Sequence, residues 1–382
     1  MPPSNPFVYG EIVPASAFVG RADELGRLTA DLADGQKIFL ISPRRYGKSS
    51  LVHQAFRTLQ RRNVVTLEFT VSSFSSYVGF LEGYARALVN LDARTPRSRS
   101  WLRELFGGVT PEVRVEPGGG AGVAIAFPGI RTPRDAARLA DEVFALPARI
   151  AARGGRRLAI ALDEFQAIGS FGGAAVEPAL RAAVQQQRQV GYVFAGSEPS
   201  LMEAMIGPRR PFYKAGPVLR LRKIPAETFA SFVDTRFAKS GLAPENGLGA
   251  AVVDLSGNLP YDVQRLAHET WDDVAAARQR RVGLEDLHAT LHRLLGEQEP
   301  MFEAIWQKLT LGQRAVLRAV VLERGRELLA VETRDRHRLG GASTVQAALA
   351  ALVREDLIAR EEDGHYAVVD SLMREWVARR TY

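Results

Sequence analysis

Apolar residues fall into two kinds of run along the chain, and their alternation sets the expected architecture. KIFLIS at 37–42, VVTLEFT at 64–70, RLAIALD at 157–163, GYVFAG at 191–196 and VLRLRKI at 218–224 are short, nearly continuous apolar stretches of buried-strand size. Segments of helical periodicity lie between and before them, at about 21–34, 48–61, 76–90, 133–153 and 174–189. Strands alternating with helices predict a parallel sheet covered on both faces, opening with a βαβ unit over 37–70. Residues 71–135 interrupt the alternation as an insertion. Within it, glycines in VRVEPGGGAGVAIAF (113–127) separate two alternating runs and predict a hairpin. The start, NPFVYGEIVPASAFVGR (5–21), reads as an extended arm punctuated by proline.

After Pro225 the strand signals stop. Residues 226–295 read as helices broken by SGNLP at 256–260, which fits an all-helical lid. Helices are then expected at 301–309, 311–323 and 343–354, with RDRHR (334–338) in the loop before the third. LIAREEDGHYAVV (357–369) supplies two alternating runs joined by Asp363-Gly364, the strongest short-range hairpin signal. Helices followed by a hairpin in this order predict a winged helix. The expected division is an α/β core at 1–225, a helical lid at 226–298 and a winged-helix domain at 299–382.

Composition narrows the classes. At about 100–200 residues per domain, 382 residues suit two or three domains with ample core. A 46% hydrophobic and 24% charged content excludes wholesale disorder. Without cysteine there is no disulfide framework, thiolate metal site or thiol nucleophile, and six scattered histidines argue against structural zinc. No apolar run nears the ~18 residues of a membrane helix, and the first residues lack a basic, then apolar, leader. A cytoplasmic protein with no membrane partner is expected. The net charge of +7 invites a nucleic-acid reading, but 44 of the 50 basic residues are Arg, and five of the excess charges fall in residues 1–100. Residues 301–382 carry only +1.

The chemistry concentrates at Ser42-Pro43-Arg44-Arg45-Tyr46-Gly47-Lys48-Ser49-Ser50, directly after a buried strand and opening a helix. A phosphate loop needs backbone N–H groups curled round an anion at a helix N-terminus, a Lys on the β/γ oxygens and a hydroxyl for Mg²⁺. Lys48 and Ser49 fit those roles and Gly47 permits close approach, while Ser42 stands where the usual pattern has its first glycine. Asp163 and Glu164 at the tip of LAIALD supply the matching acids: the first to position Mg²⁺, the second to activate water. Alone, such a pair reads first as a cap for the next helix; joined to Gly47-Lys48-Ser49-Ser50 it reads as catalytic. If the strand at 191–196 lies between the first and third strands, Ser197 faces the γ-phosphate between Lys48 and Glu164. Arg209 and Arg210 could neutralise a transferring phosphoryl group in cis or in trans, or be solvated loop charge; Arg265 stands under the same two readings.

FVGRADEL (18–25), SPRRYGKSSLV (42–52), LDEFQ (162–166), AGSEPSLM (195–202) and FYKAGPVLRL (212–221) resemble, in order, the successive motifs of the archaeal-type ATPases. These belong to the AAA-like, signal-transduction (STAND) NTPase group. The resemblance spans about residues 5–270, with a weaker echo in the winged helix and its closing DSLMREWVARR. It implies a P-loop sheet of additional-strand (ASCE) type, ATP with Mg²⁺, and nucleotide-dependent contact between domains or subunits. It also implies that Phe18, Gly20 and Arg21 lie near the adenine, that Pro43 to Ser50 form the phosphate loop, that Ser197 is a sensor, and that Pro260 belongs to a G-x-P-like lid motif touching nucleotide.

Three functions fit. The first is an Mg-dependent ATPase, slow without a partner, acting as a nucleotide-driven switch on a protein partner or in a homo-oligomer. The second is a DNA-acting ATPase, initiator- or transposon-helper-like, docking its winged helix on duplex. The third is a non-catalytic, nucleotide-bound scaffold. The helix STVQAALAALVRED (343–356) offers Ser343, Thr344, Gln346 and Arg354 but few cations, which places DNA second.

Overall fold

In the computed structural model, residues 4–91, 105–107, 111–115, 123–171, 175–361 and 363–380 are described. Residues 12–222 pack as one compact unit, and residues up to 11 pack with 223 onward as another.

The first unit opens with α1 (Ala22–Ala33), β1 (Lys37–Ile41), α2 (Lys48–Arg61) and β2 (Val65–Thr70), the expected βαβ. α3 (Tyr77–Val89) and the antiparallel pair β3 (Glu112–Val115) and β4 (Val123–Ala126) follow. The glycine-rich tip expected at 117–122 lies outside the described residues. Then come α4 (Pro133–Gly154), β5 (Leu158–Asp163), α5 (Val176–Gln186), β6 (Val190–Gly196), α6 (Pro199–Ile206) and β7 (Val218–Arg220). The sheet order is β2-β5-β6-β1-β7, and every pairing is parallel. One strand, β6, therefore stands between the strand that feeds the phosphate loop and the strand that carries the acids.

Both faces are buried, which is why the strands read as unbroken apolar runs. Phe39, Ile160, Leu162, Tyr192 and Phe194 point to one face, against Phe80 and Tyr84 of α3 and Phe144 of α4. Their neighbours Ile38, Leu40, Ala159, Ala161, Val193 and Ala195 point to the other, against Leu28 and Leu32 of α1 and Leu51 and Ala55 of α2. The second face uses small side chains, so its helices approach closely. A Cβ on Gly191 would sit 2.4 Å from the Leu32 carbonyl oxygen. VLRLRKI pairs only over its first three residues, because β1 ends at Ile41 and the chain above it turns into the loop at 42–47.

The second unit holds α7 (Ala226–Lys239), β8 (Ala243–Pro244), α8 (Leu248–Leu255), α9 (Pro260–Ala276), β9 (Arg281–Val282) and α10 (Leu284–Lys308). The helical region is thus laced by one two-residue parallel bridge, β8 with β9. The arm packs here: Phe7 is buried with its ring 4.7 Å from Phe237, and the Tyr9 hydroxyl donates to Glu269 at 2.7 Å. The phenol is pushed up to about 12, first by that bond and then by burial.

α11 (Leu311–Leu322), α12 (Val331–His337), α13 (Ala342–Arg354), the hairpin β10 (Ile358–Arg360) and β11 (Tyr366–Val368), and α14 (Ser371–Arg379) complete the chain as a winged helix. Two expectations change. The helix expected at 301–309 is the last third of α10, which carries Pro300 in its interior and passes through the expected boundary at 298/299. A proline usually ends a helix, which is why the pattern broke there. RDRHR lies mostly in α12, where the Arg334 guanidinium donates to the carbonyls of Leu329 and Gly340 and Thr333 is buried.

Phe194 sits among Phe39, Phe165, Tyr192 and Phe212 at centroid distances of 5.0, 4.6, 5.7 and 5.4 Å. Phe194→Ala should cost about 3–5 kcal/mol, seen as a lower urea midpoint for the transition of residues 12–222. A loss under about 1 kcal/mol would contradict this packing.

Candidate functional site

In a parallel sheet all strands end on one edge, and here that edge gathers the candidate residues. Ile41 pairs with Gly196 and Thr70 with Asp163, so the tips of β1, β6, β5 and β2 lie side by side. Ser42 is fully buried; its N–H donates to the Gly196 carbonyl at 3.2 Å and its hydroxyl to the Pro43 carbonyl at 2.8 Å. The left-handed positions of the loop are Arg45 (φ 68°) and Gly47 (φ 87°), so Ser42 takes a conformation any residue adopts. Left-handed residues in a turn aim successive N–H groups inward, the geometry of an anion nest, and α2 begins immediately after it. Pro43 is half-buried, Tyr46 is buried, and Arg44, Arg45 and Ser49 are exposed.

Lys48, only 7% exposed, forms ion pairs with Asp163 and, at 3.5 Å, with Glu164 Oε1. Glu164 adopts a left-handed conformation (φ 50°), uncommon for a residue with a side chain and typical of constrained sites. β6 lies between β1 and β5, and at its tip Ser197 Oγ donates to Glu164 Oε2 at 2.6 Å. Burial alone pushes the Glu164 carboxyl up. The Ser197 hydrogen bond, the Lys48 charge and the Gln166 amide outweigh it and hold the carboxyl below its ordinary range.

Gln166 is the residue the pattern quoted without assigning. Its Nε2 donates to Glu164 Oε2 at 2.6 Å and to Glu198 Oε1 at 3.3 Å. The only signal in the sequence is its place two residues after Glu164. Gly196 is required by closeness rather than by φ: a Cβ there would lie 2.3 Å from Met202 Cγ and 2.7 Å from Gln166 Oε1.

Other expected residues hold the loop from behind. Arg21 is buried, and its guanidinium donates to Glu24 (2.9 Å), to the Tyr46 carbonyl (3.2 Å) and to the Arg222 carbonyl (2.5 Å). Its side chain therefore clamps the phosphate loop to the segment after β7. Phe18 packs against the α1/α2 core, and Gly20 (φ 66°) turns the chain between them. Ser50 Oγ accepts from the Val13 N–H at 3.3 Å. Arg210 is not among the side chains around Lys48; it donates to Glu177, a buried carboxylate in the first turn of α5, at 2.7 Å. Arg209 (φ 68°) lies in the turn beside it. Pro260 and Arg265 belong to the second unit, Pro260 as the first residue of α9.

The family described as "Probable winged helix domain" matches residues 300–379. No curated protein matches the chain by sequence. Among solved structures, the Walker-type ATPase PAby2304 of Pyrococcus abyssi superposes with a TM-score of 0.61 at 15% identity, covering 96% of this chain and 99% of that one. The Orc1 protein of Aeropyrum pernix, solved in complex with DNA, superposes with a TM-score of 0.51 at 14% identity, covering 97% of each. The chain thus has the fold of archaeal Walker-type ATPases: a P-loop sheet, a helical region and a winged helix.

Ser197→Ala removes the main hydrogen bond to Glu164 while leaving it half-buried. The Glu164 carboxyl should therefore titrate at higher pH, read by carbon-13 NMR of labelled glutamate. In the wild type, its folded value lies below its unfolded one. It therefore adds stability above the unfolded value, which is lost as pH falls through the folded one, and the variant should lose less over that acid window. An unmoved carboxyl would contradict the assignment.

Proposed function

We propose that this chain binds ATP with Mg²⁺, hydrolyses it slowly, and uses the cycle as a conformational switch read by a partner. The observation that carries this is the position of Lys48: a buried ammonium at a helix N-terminus, beside an anion nest, balanced by two carboxylates at the tip of β5, the next strand but one. An ammonium so placed can exchange Asp163 and Glu164 for phosphate oxygens. The left-handed loop supplies the N–H groups that a polyphosphate needs.

In this reading each residue has a role. Lys48 neutralises the β/γ oxygens, Glu164 takes a proton from the attacking water, and Ser197 and Gln166 fix the Glu164 carboxylate. Ser49 and Asp163 would hold a divalent cation. Among the described residues no three His, Cys, Asp or Glu side chains gather into a metal site, so the ion would share phosphate and water oxygens, as Mg²⁺ characteristically does. Its chemistry there is to neutralise charge on those oxygens. Arg210 could join only by leaving Glu177, or act in a neighbouring copy.

In this reading the switch works through the helical region at 226–298 and the winged helix from 299. The winged helix suits a protein contact: Leu311 is 82% and Val331 57% exposed, and the outer face of α13 presents Ser343, Thr344, Gln346 and Val353 with Arg354 its only cation. The second reading is duplex docking through this module. It is favoured by the winged-helix match and by the fold shared with a protein solved in complex with DNA.

Glu164→Gln should lower ATP turnover about 10²–10⁴-fold in a phosphate-release assay while leaving ATP binding by calorimetry intact. Lys48→Ala should abolish binding. Unchanged turnover in Glu164→Gln would refute the assignment of the base.

A further inference from the structure

The opposite edge of the same sheet carries a second ordered set of charges. The connections entering the strands there are RTLQRRN (57–63) before β2, RGGRR (153–157) before β5 and RAAVQQQRQ (181–189) before β6, and none contains an acid. Because β2, β5 and β6 are neighbours, these connections lie in a row about 4.8 Å apart. The Val65 N–H donates to the Arg157 carbonyl and the Leu158 N–H to the Gln189 carbonyl, which fixes that order. Arg61, Arg62, Arg153, Arg157 and Arg188 are exposed. Arg157 is tied to Ala33 and Asp34, whereas Arg61, Arg62 and Arg188 form no ion pair with any carboxylate among the described residues. At the end of the row, burial and then the nearby Arg181 charge press the Lys37 ammonium below its ordinary range.

Crowded like charge costs stability unless an anion relieves it. We infer that this edge is a binding surface for the phosphate backbone of a nucleic-acid duplex, separate from both the nucleotide site and the winged helix. Three features select that partner. Guanidinium groups interleaved with exposed Gln60, Asn63, Gln185 and Gln189 are the side chains that contact phosphates without reading sequence. No aromatic residue lies in the three connections, as stacking on single strands would need. No large hydrophobic residue is exposed in them either, so nothing would insert into a membrane interface. The surface lies within one compact unit and does not depend on the ATPase reading.

The test is fluorescence anisotropy of a labelled 20-base-pair duplex across salt concentrations, comparing the full chain with the triple variant Arg61→Gln, Arg62→Gln, Arg188→Gln. These side chains are exposed, so the thermal midpoint and ATP binding should match wild type. Each lost phosphate contact flattens the slope of log K against log salt by about 1, so the variant should be shallower by about 3 and bind roughly ten- to a hundredfold more weakly near 100 mM salt. A Gln346→Ala, Arg354→Gln variant in α13 should change the slope by no more than about 1. The inference is overturned by equal affinity and slope in the triple variant, by loss confined to the α13 variant, or by wild type failing to bind duplex at 50 mM salt. Binding to phosphatidylserine vesicles without duplex binding would overturn it in favour of a membrane face.

Discussion

The ion cluster of Lys48 with Asp163 and Glu164 is the interaction on which the rest of the site depends. A buried ammonium is costly unless it is matched by opposite charge, and each partner stands at the end of its own strand or helix. β1 must deliver the loop, α2 must begin at Lys48, and β5 must end at Asp163. β6 then fits between them with Ser197 at its tip, while Gln166 and Arg21 brace the acid and the loop from outside. The left-handed Glu164 is held by this surrounding network of hydrogen bonds.

A parallel sheet has two chemically distinct edges, and in this chain both carry charge. At the strand tips, two carboxylates balance a single buried ammonium at a helix N-terminus. At the strand entries, arginines spread across three neighbouring connections that contain no acid of their own, the pattern from which the duplex surface is inferred. Basic residues of the first hundred lie at both edges: Arg44, Arg45 and Lys48 at one, Arg61 and Arg62 at the other. The winged helix adds little net charge.

Much of the core and the central residues of the candidate site were legible because local pattern and topology agree there. Unbroken runs marked strands buried on two faces, and a polar loop followed by a helix marked the phosphate loop. Strand order, and with it the placement of Ser197, required pairing information that a run of apolar residues does not contain. Gln166 was illegible for a related reason: its bond to Glu164 depends on the left-handed turn at 164, which no residue type announces. The motif at Arg21 says nothing of its bonds to the carbonyls of Tyr46 and Arg222, which depend on tertiary closeness across the sheet. The helix α10 was split because Pro300 outweighs its periodic neighbours in a one-dimensional reading.

The most direct test of the central account is a crystal structure with Mg²⁺ and a non-hydrolysable ATP analogue. The account predicts that the phosphates lie on the backbone N–H groups of residues 45–49, that Lys48 leaves Asp163 for the phosphate oxygens, and that Glu164 keeps its hydrogen bonds from Ser197 and Gln166. A nucleotide bound elsewhere, or Lys48 still paired with Asp163 beneath a bound nucleotide, would contradict it.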